Sequence, residues 1–149
     1  MAKLLVLINI LILPKDKVVE LNPYLNSAEI ACKCKRKTCH YTLINQDLND
    51  AFYRTRVAAG FALYLNSGFR CQAHNKTVGG VETSSHTTGN AIDISTEGLN
   101  RVQLSRLVAA CRANFDYVKI YPNFIHCQLN PKKEDTYDYY ATGDEDLSY

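Results

Sequence analysis

The chain has 149 residues, the length of one ordinary globular domain, with 46% hydrophobic and 21% charged residues. A net charge of +2 gives no reason to expect a nucleic-acid partner or an anionic membrane surface. Six cysteines fall well short of a disulfide scaffold, and a chain this long can bury a core without cross-links.

Residues 1–20 form an N-terminal apolar segment, with Leu4 to Leu13 interrupted only by Asn9. This run is too short to span a membrane and lacks a small-residue cleavage pattern, so it is predicted as a buried strand or short helix. Leu21 to Ile30, with Asn22-Pro23 and Asn26-Ser27, reads as a turn-rich lead-in. Cys32 to His40 is basic and poor in aliphatic residues, which predicts a loop.

From Gln46 the pattern turns helical: Leu48, Ala51, Phe52 and Thr55 share a face, Asn45 is the N-cap and Gly60 the stop. Phe61 to Leu65 reads as a buried strand, and the polar stretch Gln72 to Gly89 as a long functional loop. Ala91 to Ser95 alternates as a strand, with Ile92 and Ile94 on one side and Asp93 on the other. A second helix is expected over Leu99–Ala113, with Leu99, Val102, Leu107, Val108 and Cys111 on its apolar side. Asp116–Tyr121 and Phe124–Leu129 read as strands joined at Pro122-Asn123. Residues 131–149 are acidic, rich in tyrosine and without periodicity, which predicts a surface arm or disordered tail. The fold class expected is α+β, a small antiparallel sheet flanked by helices, with residues 21–130 as the functional unit.

The chemistry concentrates in Ser84-Ser85-His86-Thr87-Thr88-Gly89-Asn90-Ala91-Ile92-Asp93. Alternation on the later strand puts Phe124, His126 and Gln128 on one face. Two imidazoles and one carboxylate, with a fourth corner left for water, form the donor set of a catalytic zinc site. By spacing alone, a loop-capping histidine and an Asp93–Arg70 ion pair explain the same residues.

Ser67-Gly68-Phe69-Arg70-Cys71, His74-Asn75, Val78-Gly79-Gly80, the S-x-H-x-x-G-x-A-x-D pattern from Ser84 to Asp93, and Tyr121 to His126 together resemble the zinc D-Ala-D-Ala carboxypeptidase family. The family includes related phage endolysins, the match is to its short, single-domain branch, and the fold it implies is shared with the Hedgehog signalling domain. The resemblance runs from about Ile30 to Leu129. It implies a bound Zn2+ held by His86, Asp93 and His126. It places Arg70 at the active site, binding substrate or its developing negative charge, gives Ser84 a substrate contact, and gives the His74-Asn75 pair a role in loop structure or substrate contact. It also implies a peptidoglycan peptide as substrate, hydrolysed at the bacterial cell wall by a D,D-carboxypeptidase or endopeptidase. Two positions depart from the pattern. Asn123 stands where branches of the family carry the acid that serves as general base, and Gln128 stands where many carry Asp. An amide takes no proton from water, so the base falls to Glu82, with Asp116 and then Tyr121 behind it. A zinc-bearing binding or structural module without catalysis is the second reading.

Cys32, Cys34, Cys39 and His40, with Cys71, form a separate cluster: either a second metal site or one or two disulfides. Cys111 and Cys127 fall on apolar faces and are expected in the core.

Overall fold

A computed structural model describes residues 3–7, 9–131 and 136–140, the end segments 3–7 and 136–140 as backbone alone. The architecture is α+β. Strand β1 (Lys3–Leu7) is followed by β2 (Ile10–Pro14), β3 (Glu20–Asn22), β4 (Leu25–Asn26), helix α1 (Ser27–Ile30) and β5 (Tyr41–Asn45). Helix α2 (Gln46–Ala59), β6 (Leu65–Ser67) and α3 (Gln72–Thr77) lead to a single 3-10 turn (Ser85–Thr88). Then come β7 (Ala91–Ser95), α4 (Arg101–Asn114), β8 (Tyr117–Ile120), β9 (Phe124–Gln128) and β10 (Thr136–Tyr140).

The central layer is a four-stranded antiparallel sheet in the order β6-β7-β9-β8. Its register sets Asp93 opposite His126 and Lys119 opposite the same histidine, while Ser67 faces Asp93 from β6. Residues directly opposite in a ladder project to the same side, so Ser67, Asp93, His126 and Lys119 form one polar row across four strands. The alternate residues Ile92, Ile94, Ile125 and Cys127 are at most 1% exposed and face the helices. Leu48, Ala51 and Phe52 of α2 and Leu107 and Cys111 of α4 complete that core. Burying the apolar face fixes the sheet's phase, because a slip of one residue would exchange the two faces.

Helix α2 starts and stops where its caps dictate. The Asn45 side chain accepts from Asp47 N, and Gly60 closes the helix at φ +80°. Helix α4 begins at Arg101 rather than Leu99, because Asn100 and Gln103 form a capping box there. Its buried residues are Leu107, Ala110 and Cys111, and Val102 is 65% exposed. The lead-in contains a short β3–β4 hairpin and α1, started by a capping box between Asn26 and Glu29.

Other expectations are corrected. The apolar N-terminal run holds two strands, and the second is not a buried one: β2 pairs with β5 and leaves Ile12 72% exposed. The strand placed at Phe61–Leu65 lies instead at Leu65–Ser67, where β7 runs alongside to pair with it. The long loop from Gln72 to Gly89 contains α3 and the 3-10 turn. Its helix start is inconspicuous in sequence because the cap is a cysteine, the Cys71 sulfur accepting from His74 N. Within the tail, Thr136–Tyr140 is a strand paired antiparallel with β1. The rest of the tail reading, over 132–135 and 141–149, lies outside the described residues. Among the described residues, no helix is long and apolar enough to cross a membrane.

Candidate metal centre

The turn that carries His86 is built by its own side chains. Ser84 Oγ accepts from His86 N, and Thr87 donates to Ser84 O. Gly89 ends the turn at φ +77°, and a Cβ there would lie 2.7 Å from Leu43 O, so neither the conformation nor the space admits a side chain. The turn is then tied to the end of β5 and to the residue after β9. Asn45 N donates to Gly89 O at 2.9 Å, Asn45 Nδ2 to Asn90 Oδ1 at 2.9 Å, and Leu129 N to Asn90 O at 2.9 Å.

His86 is 1% exposed. Its Nδ1 lies 2.7 Å from Gly68 O. A carbonyl only accepts, so Nδ1 carries the proton and Nε2 presents its lone pair. That Nε2 is 3.2 Å from Asp93 Oδ1 but out of line for a hydrogen bond, leaving a buried polar atom without a partner. His126 Nδ1 lies 3.0 Å from the same Oδ1, while its Nε2 meets Gln128 Oε1 at 2.9 Å. The Gln128 amide is oriented by its Nε2, which donates to Asn130 Oδ1. Its oxygen therefore faces the histidine, and His126 Nε2 carries the proton.

The donor atoms of His86, Asp93 and His126 lie within 4.8 Å of one another. Zinc at about 2.0–2.1 Å from N and O donors in a tetrahedron separates them by about 3.3 Å, close to the observed 3.2 and 3.0 Å. The orphaned nitrogen, the tautomers set by carbonyl and amide oxygens, and the His2Asp donor set all fit a zinc ion. Burial pushes the Asp93 pKa up, but the hydrogen bond with His126 and the positive charge that the His126 and His86 rings carry when protonated outweigh it and hold the carboxyl at about 2. Burial works against a charged His126, and its contacts with Asp93 and Gln128 overcome this and raise its pKa.

These residues floor a cleft of about 570 Å³ whose rim includes Arg70, Ser84, Tyr117, Lys119, Tyr121 and Phe124. Arg70 is held in place: Nη1 donates to Asn75 Oδ1 at 2.9 Å, Nε to Ser67 Oγ at 3.3 Å, and Nη2 stands 3.9 Å from Asp93 Oδ2. Asn75 is 1% exposed and anchored through Nδ2 to Val81 O at 2.7 Å. A Cβ at Gly80 would lie 2.0 Å from Asn75 Oδ1, so glycine is required for the Arg70–Asn75 pair. Sequence reasoning left Asn75 without a definite role; the H-N pair was its signal, and its partner came from the fold.

Not every candidate reaches the cleft. His74 lines an adjoining depression that shares Arg70 and Asp93 with it, and burial first, then Arg70 and other cations, lower its pKa. Glu82 is exposed and lines a different depression, beside Gln72 and Lys76. Asp116 accepts from Asn130 N at 2.7 Å beyond the far end of β9. Asn123 is exposed in the β8–β9 turn, where its carbonyl accepts from Thr96 N. Apart from Asp93, no carboxylate lines the cleft among the described residues.

The second cluster gathers Cys32, Cys34, Cys39 and Cys71 within 4.8 Å, without His40, whose ring packs edge-on against Tyr41 instead. All four thiols are free, as are Cys111 and Cys127, which are fully buried in the core.

A family model described as Peptidase M15 matches residues 23–128, which contain every cleft residue named above. No curated protein matches the chain.

Proposed function

Because the chain belongs to the Peptidase M15 family, a family of zinc-dependent hydrolases, we propose that it cleaves peptidoglycan peptides beside a D-amino acid, with zinc held by His86 Nε2, His126 Nδ1 and Asp93. The observation that carries this reading is the buried, unpartnered His86 Nε2 facing Asp93 and His126 at the floor of an open cleft. Zinc supplies Lewis acidity toward the scissile carbonyl when bound. The chain's residues do the rest.

Two cations border the ligands, Arg70 on one side and Lys119 across β9 on the other. A substrate carboxylate fits between such groups, and this favours a carboxypeptidase acting at a peptide's C-terminus over an endopeptidase. Arg70 does not have to be ordered on binding, because Asn75 and Ser67 already fix its guanidinium. It therefore either anchors the carboxylate or meets negative charge developing on the carbonyl oxygen, where one fixed donor is worth about 3–4 kcal/mol of barrier. Ser84 Oγ sits at the rim, within reach of a substrate amide. Glu82 does not serve as the base on this reading, since it faces another depression. Hydrolysis then proceeds without a carboxylate base, and the hydroxyl side chains on the rim include Ser84, Tyr117 and Tyr121.

The test is hydrolysis of a synthetic stem peptide ending in D-Ala-D-Ala by zinc-loaded protein, reading released D-Ala. Wild type should release it, His86→Ala should neither bind zinc at this site nor cleave, and Arg70→Ala should keep zinc and lose most activity. Cleavage of cross-linked peptidoglycan without D-Ala release would move the assignment to an endopeptidase. No cleavage of either substrate by zinc-loaded wild type would leave a zinc-bearing binding module.

A further inference from the structure

We propose that Cys32, Cys34, Cys39 and Cys71 bind a second zinc ion through four thiolates, pinning the loop between α1 and β5 to the segment that carries Arg70. Three of the sulfurs come from the loop over residues 31–40 and the fourth from the start of α3, and all converge within 4.8 Å. Cys32 and Cys71 sulfurs are 3.7 Å apart, and those of Cys34 and Cys71 are 3.8 Å apart. A tetrahedron with zinc–sulfur bonds of about 2.3 Å has edges of about 3.8 Å. One or two disulfides would bring paired sulfurs to about 2.05 Å, whereas all four cysteines are free and the sulfurs stand apart at 3.7 and 3.8 Å.

Cys32 and Cys39 pack against Phe69 in an apolar cluster, yet N–H and ammonium donors face the sulfurs. Cys71 N donates to Cys32 Sγ, and His74 N to Cys71 Sγ, each at 3.4 Å. Lys15 Nζ lies 3.7 Å from Cys39 Sγ and 3.9 Å from Cys34 Sγ, and it is fixed by Cys34 O at 3.0 Å. Four thiolates around a divalent ion leave a net charge of about −2, and this lysine, with the basic stretch Lys33 to Lys37, offsets it. Residues 31–40 have no helix or strand of their own, which a cross-link would compensate. Loading is ligand exchange without redox change: the thiols give up their protons to solvent and zinc gives up water.

The metal site stands on its own geometry, while its effect on catalysis rests on the function proposed above. Cys71 follows Arg70 directly and caps α3, the helix that carries Asn75. Freeing Cys71 should therefore let Arg70 drift, and small displacements of a positioning group cost about 10- to 100-fold in kcat/KM.

The experiment uses full-length protein purified under reducing conditions without added metal. Elemental analysis should give two zinc per chain in wild type, one in His86→Ala and one in Cys39→Ser. Cobalt reconstitution should produce sulfur-to-cobalt charge-transfer absorption that persists in His86→Ala and disappears in Cys39→Ser. If Cys39→Ser fails to fold, the cobalt spectra of wild type and His86→Ala decide alone. One zinc in wild type and none in His86→Ala overturns the proposal. So does the absence of a charge-transfer band, or a non-reducing intact mass showing a bridge among these cysteines. A positive cobalt spectrum with an inactive enzyme would sink only the peptidase reading.

Discussion

Asn75 shows how a residue outside the cleft governs one inside it. Its buried amide faces Arg70 Nη1 with oxygen and Val81 O with nitrogen, so neither role survives truncation. Asn75→Ala should take away a hydrogen-bond partner of the half-buried Arg70 guanidinium, costing about 0.5–1.5 kcal/mol, and should lower kcat/KM while zinc content stays constant. Gly80→Ala should act in the same direction, since its Cβ would occupy the space of Asn75 Oδ1. A steady-state assay alongside elemental analysis separates these from loss of a ligand. Glu82→Gln should leave turnover within about threefold of wild type, whereas removal of a general base costs about 10²- to 10⁴-fold. A drop of that size would return Glu82 to the mechanism.

At the scale of elements, the sheet does the positioning. Strand alternation, legible in the sequence, put Asp93 and His126 on polar faces, and the β7–β9 register sets them opposite each other. The caps at Asn45 and Gly60 were equally legible, because helix ends are written in local side-chain chemistry. What was not legible was non-local. Nothing adjacent to Gln128 reveals that its oxygen orients His126, and nothing near Glu82 shows that it lines a depression other than the cleft. Helix α3 stayed hidden because a sulfur caps it, and only the fold shows that His40 stands apart from the four cysteines while Cys71 joins them. Gln128→Leu should keep the fold but weaken zinc binding at the cleft by about 10- to 100-fold, as loss of a ligand's outer partner does. Competition with a chromogenic chelator would measure it, and an unchanged affinity would remove Gln128 from the account.

For the whole molecule, the charge state of the site makes stability depend on pH with a sign that metal reverses. In chelator, Asp93 has a pKa of about 2 against an ordinary 3.8, so its contribution is present above 3.8 and lost as pH falls through 2. His126 has a raised pKa, so its contribution is full below its ordinary value of 6.5 and lost as pH rises through the folded value. The metal-free site should therefore favour folding most between about pH 4 and 6.5. Denaturation midpoints of wild type minus Asp93→Asn should be largest in that window. With zinc the order inverts, because ligation needs a neutral imidazole and strengthens as pH rises. A difference that is flat across pH in chelator would show that the carboxylate and imidazole do not interact.

The bonds that tie the His86 turn to its neighbours also make three amides into reporters. Asn45 N, Asn90 N and Leu129 N donate to Gly89 O, Ser85 O and Asn90 O, and all three must break when the turn opens to release an ion. An ion that binds only the closed turn deepens the free energy of opening by RT ln(1 + [L]/Kd). Their hydrogen–deuterium exchange should slow together as zinc is added, by the same factor at each. Amides of the β3–β4 hairpin, remote from the turn, should keep their rates.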